Sequence, residues 1–139
     1  MKIVILTVAG LSSRFNEGLE PSAHQLKAIY YTASSKDTLL YHMIEKCDFA
    51  DRIIVVGGYQ YKELADYIAG VFPVEVKSKV VLVENKHFAD LSSGYSLYLG
   101  IKKAFDEFPD VSEVLFAEGD LDVDEESFRR VALSDKSVI

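Results

Sequence analysis

Three charged residues stand where open α/β sheets do chemistry. Arg14 follows the turn Gly10-Leu11-Ser12-Ser13, directly after the apolar run Lys2–Val8. Glycine permits the tight turn or the close approach of a ligand. Successive backbone N–H groups in such a turn can cradle phosphate oxygens, and an arginine adds charge and a fixed fork of donors. Lys27 lies just beyond a long loop. It is either a second cation folded back toward Arg14 or an ordinary surface lysine. Asp120 follows a buried-looking strand through Gly119. A carboxylate there either holds Mg²⁺, a hard ion that takes oxygen ligands and substrate phosphates, or caps a turn or helix. Asp122 is the reserve ligand, whereas Asp124, Glu125 and Glu126 suit the acidic first turn of a helix. The chain has no G-x-G-x-x-G, and Lys27 is too distant for a Walker lysine. His24, His42 and His87 lack metal-ligand spacing, and no Ser-His-Asp or Cys-His set can be argued.

The elements that must position these groups are legible as alternating strands and helices. Strands are expected at 2–8, 52–56, 80–83 and 114–117. Between them, Thr38 caps a helix whose packed face is Leu40, Met43, Ile44 and Cys47. Residues 60–69 present Leu64, Tyr67 and Ile68. A longer helix ending before Pro109 presents Leu97, Ile101, Ala104, Phe105 and Phe108. Residues 27–31 read as a short extended piece and 34–37 as a turn. Residues 124–132 read as helical, and Val138-Ile139 as the start of a strand. This alternation implies an α/β fold, a Rossmann-like three-layer α/β/α arrangement with a mostly parallel sheet. Right-handed crossovers put the loops after 8, 57, 83 and 117 on one edge. Arg14, Gly58, Ser92-Ser93 and Asp120 would then border a common crevice.

With 139 residues the chain suits one domain with one sizeable core. Its net charge of −7 disfavours a general nucleic-acid partner. No run approaches a membrane span. The single cysteine, Cys47, cannot form an internal disulfide and reads as a small buried hydrophobe. A reducing, cytoplasmic compartment is the expectation.

Four segments in order carry a resemblance. Leu6-Thr7-Val8-Ala9-Gly10-Leu11-Ser12-Ser13-Arg14-Phe15, with Lys27 after it, resembles the Leu-Ala-Ala-Gly-x-Gly-Ser/Thr-Arg…Pro-Lys signature of nucleotidyltransferases that activate sugar phosphates and alcohol phosphates. Val56-Gly57-Gly58-Tyr59-Gln60-Tyr61 and Asn85 through Tyr98 are similar to the phosphocholine cytidylyltransferase-like branch. Glu118-Gly119-Asp120 falls where that family has its first metal-binding aspartate. The chain departs from the pattern at Val8, Ser12, Leu26 and Ser92-Ser93, which replace an alanine, a glycine, a proline and paired asparagines.

The resemblance implies transfer of an NMP group from an NTP, CTP favoured, onto a phosphomonoester such as phosphocholine or a sugar 1-phosphate, with Mg²⁺ as cofactor. It assigns Arg14 and Lys27 to catalysis and Asp120 to the metal. Val8, Ala9, Gly10, Leu11, Ser12, Ser13, Gly58, Ser92 and Ser93 fall to the nucleotide. Domains of that family are longer and carry a second metal-binding aspartate further on. Residues 1–139 are therefore expected to be the N-terminal, nucleotide-binding part of a truncated nucleotide-diphospho-sugar transferase fold. Two alternatives stand beside this: a non-catalytic nucleotide-binding relative, and an α/β interaction domain with no nucleotide site. A receiver-like domain is disfavoured because the first strand ends in Ala9-Gly10 rather than in acidic residues.

Overall fold

The computed structural model describes residues 1–9, 16–88, 93–119, 126 and 130. Four strands form one parallel sheet: β1 (Lys2–Thr7), β2 (Arg52–Gly57), β3 (Val80–Glu84) and β4 (Glu113–Glu118). Their order is β3-β2-β1-β4. The chain steps outward from β1 to β2 and β3, then returns to the far side of β1. The topological switch point therefore lies between β1 and β4. Ile5 sits opposite Ile54 on one side and Phe116 on the other.

β1 and β2 are apolar without a polar face because both of their faces are covered. Val4, Leu6, Ile53 and Val55 pack beneath α1 (Leu39–Lys46) and α2 (Tyr61–Val71). Ile3, Ile5, Ile54 and Val56 pack against Ala104 of α4 (Ser93–Glu107) on the opposite face. This is the three-layer α/β/α arrangement expected. A short α3 (Val74–Lys77) leads into β3.

α1 forms as its sequence requires. The Thr38 hydroxyl accepts the Tyr41 N–H at 3.0 Å, and Leu40, Met43, Ile44 and Cys47 are buried. The cap is held from outside. Tyr67 of α2 gives its only hydroxyl proton to the Ser35 carbonyl at 2.5 Å, so Thr38 must donate to the Tyr67 oxygen at 2.7 Å. Burial raises the Tyr67 pKa, which keeps this donor protonated. The Cys47 thiol, buried and close to Asp48, is pushed up to about 12. It is an inert core group, as its position in the helix suggested.

The stretch 27–31 is extended only from Tyr30. Lys27–Ile29 is a 3-10 turn with Ala28 buried. The turn at Ser34–Asp37 is present, closed by the Asp37 N–H on the Ser34 carbonyl at 2.9 Å. Of 124–132, only Glu126 and Arg130 are described; both are helical, with an ion pair of 3.3 Å. Val138-Ile139 lies outside the described residues.

The larger correction concerns α4. Its buried side is Ser96, Gly100 and Ala104; of the expected face Ala104 is buried and Phe108 packs beside it, but the bulky Ile101 and Phe105 do not face the sheet. A Cβ on Gly100 would lie 2.5 Å from Ile5 Cγ2, so the helix axis approaches β1 more closely than a large side chain allows. Phe105 is 60% exposed and Ile101 36%. Gly100→Ala should therefore cost about 1–3 kcal/mol through overpacking. Phe105→Ser should stay within about 0.5 kcal/mol of the parent, as surface changes usually do. Urea unfolding midpoints of the two variants check this directly.

Candidate functional site

The site is built from strand ends. At the carboxyl edge of the sheet, β1 continues into Val8, whose N–H donates to the Val56 carbonyl at 2.9 Å. The Ala9 carbonyl accepts the Tyr59 N–H at 3.4 Å. On the other side of β1, the Gly119 N–H donates to the Thr7 carbonyl at 3.0 Å. Ala9 directly precedes the 10–15 stretch and Gly119 directly precedes Asp120. Both leave neighbouring parallel strands at the switch point, the usual ligand crevice of an open α/β sheet.

Val8 and Ala9 are buried at this edge. Gly10, Leu11, Ser12, Ser13, Arg14, Ser92 and Asp120 lie outside the described residues, as do Asp122, Asp124 and Glu125. Ser93 is the first residue of α4. Lys27 is exposed at the start of its 3-10 turn, between the buried Leu26 and Ala28. It forms part of the wall of a cavity of about 500 Å³ against α1.

Two glycines at this edge are packed closely by neighbouring protein. Gly119 does not leave its missing side chain's space to a ligand. A Cβ there would meet Val8 Cγ1 at 2.6 Å and Leu40 Cδ1 at 3.4 Å, so the space belongs to the core. At Gly58 a Cβ would meet Phe88 Cβ at 2.6 Å and the Asn85 carbonyl oxygen at 3.0 Å. The loop after β3 thus lies directly on the loop after β2.

Anchors that sequence reasoning left without a role hold the loops in place. Asn16 is buried and clamps Gln25 through two bonds of 2.8 Å, one from its Nδ2 to the Gln25 carbonyl and one to its Oδ1 from the Gln25 N–H. The 10–15 stretch is therefore bracketed by the buried residues Ala9 and Asn16. Gln60, in a left-handed conformation at φ 54°, donates its side-chain amide to the His24 carbonyl at 2.7 Å. His24 Nε2 faces the Leu19 carbonyl at 3.0 Å and so carries the ring proton. Nδ1 is then the acceptor facing the Tyr59 hydroxyl at 3.4 Å.

Asn85 is the strongest of these anchors. It is 1% exposed. Its backbone N–H donates to Gly57 at 2.7 Å, its side-chain amide donates to Ser96 Oγ at 2.8 Å, and its Oδ1 accepts the His87 N–H at 2.8 Å. One side chain thus ties the end of β3 and the following turn to the first turns of α4. The signal was an asparagine at the end of an apolar strand and a lone serine on the buried side of a helix. Aromatic rings line the same edge. His87 meets Tyr95 edge-on at 5.7 Å, Tyr95 lies 5.9 Å from Tyr98, and Tyr59 lies 5.9 Å from Phe88.

A family model described as a domain of unknown function, DUF6564, matches residues 23–139. The chain belongs to this family. No curated protein matches it. Two solved structures resemble this DUF6564 member. One is the CTP:phosphocholine cytidylyltransferase of Streptococcus pneumoniae, 27% identical over 86% of this chain and 45% of that one, with a TM-score of 0.59. The other is a nucleotidyl transferase from Methanothermobacter, 24% identical over 95% of this chain and 56% of that one, with a TM-score of 0.66. The chain spans about half the length of these structures. The second likeness is one of fold.

Among the described residues no group of three or more His, Cys, Asp or Glu could hold a metal ion. None of the described helices is long and apolar enough to cross a membrane.

Proposed function

We propose that this chain is the nucleotide-handling part of a nucleotidyltransferase, moving an NMP group from an NTP onto a phosphomonoester. The observation that carries the reading is the switch point. β1 and β4 are neighbours in parallel register, and they lead respectively into the 10–15 stretch and to Asp120. The likeness to a CTP:phosphocholine cytidylyltransferase at 27% identity favours CTP as donor and phosphocholine as acceptor, with a sugar 1-phosphate next.

A phosphomonoester oxygen attacks the α-phosphorus in line. The bond from the α-phosphorus to the bridging oxygen breaks, and pyrophosphate leaves with that electron pair. The nucleophile is already an anion, so alignment and charge neutralisation supply most of the catalysis. Backbone N–H groups of Leu11, Ser12 and Ser13, with Arg14, hold the β- and γ-phosphates behind Val8, Ala9 and Gly10. Lys27 offsets the charge that grows at the α-phosphate. Gly58, Ser92 and Ser93 line the base and ribose side. Asp120 would hold Mg²⁺, whose contribution when bound is Lewis-acid neutralisation of phosphate charge.

A Mg²⁺-dependent pyrophosphate-release screen of the natural full-length protein, crossing four NTPs with phosphomonoesters, tests the reading. CTP with phosphocholine should give the highest release. Nucleotide-induced thermal stabilisation without release for any pair would replace it with the non-catalytic relative. Neither stabilisation nor release would leave an interaction domain.

A further inference from the structure

We propose that Gln60 is a positioning residue for the transfer site: its side chain latches the loop 16–26 to the turn between β2 and α2 and thereby sets the approach of Lys27 to the crevice. The role of Lys27 rests on the transfer reading, whereas the latch rests on geometry alone. Among the described residues Gln60 alone, glycines aside, has a positive φ, at 54°. Glycine adopts this left-handed backbone freely, whereas a side chain makes it unfavourable. Gln60 is also the N-cap of α2, yet its side chain makes no cap bond there. Its carbonyl accepts the Leu64 N–H at 3.1 Å. Its side-chain amide instead donates to the His24 carbonyl at 2.7 Å, 36 residues back in the chain. A strained backbone kept together with one outward bond is the mark of a clamp.

What Gln60 clamps is a loop bonded within itself. Asn16 and Gln25 close its neck through their two bonds of 2.8 Å. Inside it, the Leu19 N–H donates to the Asn16 carbonyl at 3.1 Å and the Ala23 N–H to the Glu20 carbonyl at 2.8 Å. The His24 ring meets the Leu19 carbonyl at 3.0 Å. A compact loop with joined ends is seated as one unit. Lys27 stands two residues past Gln25, so the seating of the loop fixes the direction from which the chain reaches it. Leu26 and Ala28 hold the turn to the core from beneath. The same β2–α2 turn also holds the entry side. The Tyr59 N–H donates to the Ala9 carbonyl at 3.4 Å, and the Tyr59 hydroxyl faces His24 Nδ1 at 3.4 Å. Residues 59 and 60 thus grip the chain both where it leaves β1 and where it returns toward Lys27.

The test uses two variants of the natural full-length protein. Gln60→Gly removes the amide and relieves the backbone, so its urea unfolding midpoint should stay close to the parent's. Gln60→Glu keeps the side chain's length and turns the donor into a carboxylate facing a carbonyl. In both, exchange of the Leu19, Ala23 and Gln25 amides should accelerate about tenfold, while β1 and β2 keep the parent's rates. The kcat for pyrophosphate release should fall about tenfold with KM for the NTP nearly unchanged, because a misplaced Lys27 costs rate rather than binding. The proposal is overturned by unchanged exchange of those three amides, by unchanged kcat beside accelerated exchange, or by an activity loss matched by a fallen unfolding midpoint. No release by the parent with any substrate pair would remove the transfer reading, and with it the role given to Lys27, while the latch would stand or fall by the exchange rates.

Discussion

Lys27→Ala in the full-length protein should lower kcat/KM for NMP transfer by about 10²–10³-fold, or roughly 3–4 kcal/mol, the usual loss when one fixed donor to a developing charge is removed. Its fold should survive. Lys27 projects from a 3-10 turn whose anchors are the buried Leu26 and Ala28, and these are untouched. The unfolding midpoint should therefore stay within about 0.5 kcal/mol of the parent. On the proposed mechanism the loss should fall mainly on kcat, because the charge assigned to Lys27 grows only as the α-phosphorus reacts. Arg14→Ala should cost a similar amount but raise KM for the NTP as well, since the proposed mechanism gives it ground-state phosphates as partners. Asp120→Ala should remove the Mg²⁺ dependence along with the activity. Undiminished pyrophosphate release by Lys27→Ala would take that residue out of the mechanism.

The parts of the molecule that were legible from sequence depend on local periodicity and chain order. β1 and β2 read as buried strands because Val4, Leu6, Ile53 and Val55 face one layer and Ile3, Ile5, Ile54 and Val56 the other. α1 was legible to its cap, since Thr38 and the Leu40-Met43-Ile44-Cys47 face are local features. The shared edge of the β1 and β4 loops followed from the handedness of parallel crossovers.

α4 shows where that reasoning fails. Of its expected face Leu97-Ile101-Ala104-Phe105-Phe108, Ala104 is buried and Phe108 packs on the same cluster, whereas Ile101 and Phe105 are exposed. Close approach to Ile5 selects Gly100 beside Ala104, which period alone does not reveal. α4 touches β3 as well as β2 and β1, and β4 lies at the sheet's other edge. There Val114 and Phe116, on the same side of the sheet, are 39% and 41% exposed. The helix lies chiefly over β2 and β1, so this patch falls outside its footprint. Gly119 shows a related limit. A glycine at a strand end announces that something comes close, but sequence does not distinguish a ligand from Val8 and Leu40.

Asn85→Ala should be the most damaging single change at this edge of the sheet. The Asn85–Ser96 bond joins groups that are both buried, so losing the amide orphans Ser96 away from the surface. Alanine removes two side-chain hydrogen bonds and leaves the Ser96 hydroxyl and the His87 N–H without that partner. At about 1–1.5 kcal/mol for each bond, plus desolvation of the orphaned groups, the loss should reach about 3 kcal/mol. Ser96→Ala alone should cost about 1 kcal/mol, because Asn85 keeps its bond to the His87 N–H. In the double variant the Ser96 change should cost nearly nothing further, which a double-mutant cycle in urea would register as coupling. The damage should also be local before it is global. Amide exchange should accelerate in the turn after β3 and the first turns of α4, while β1 and β2 keep their protection. In the full-length protein, NTP affinity should fall with this loosening, whereas Lys27→Ala should leave affinity nearly intact. An Asn85→Ala variant within 0.5 kcal/mol of the parent, with unchanged exchange in α4, would show that packing alone holds the helix to the strand.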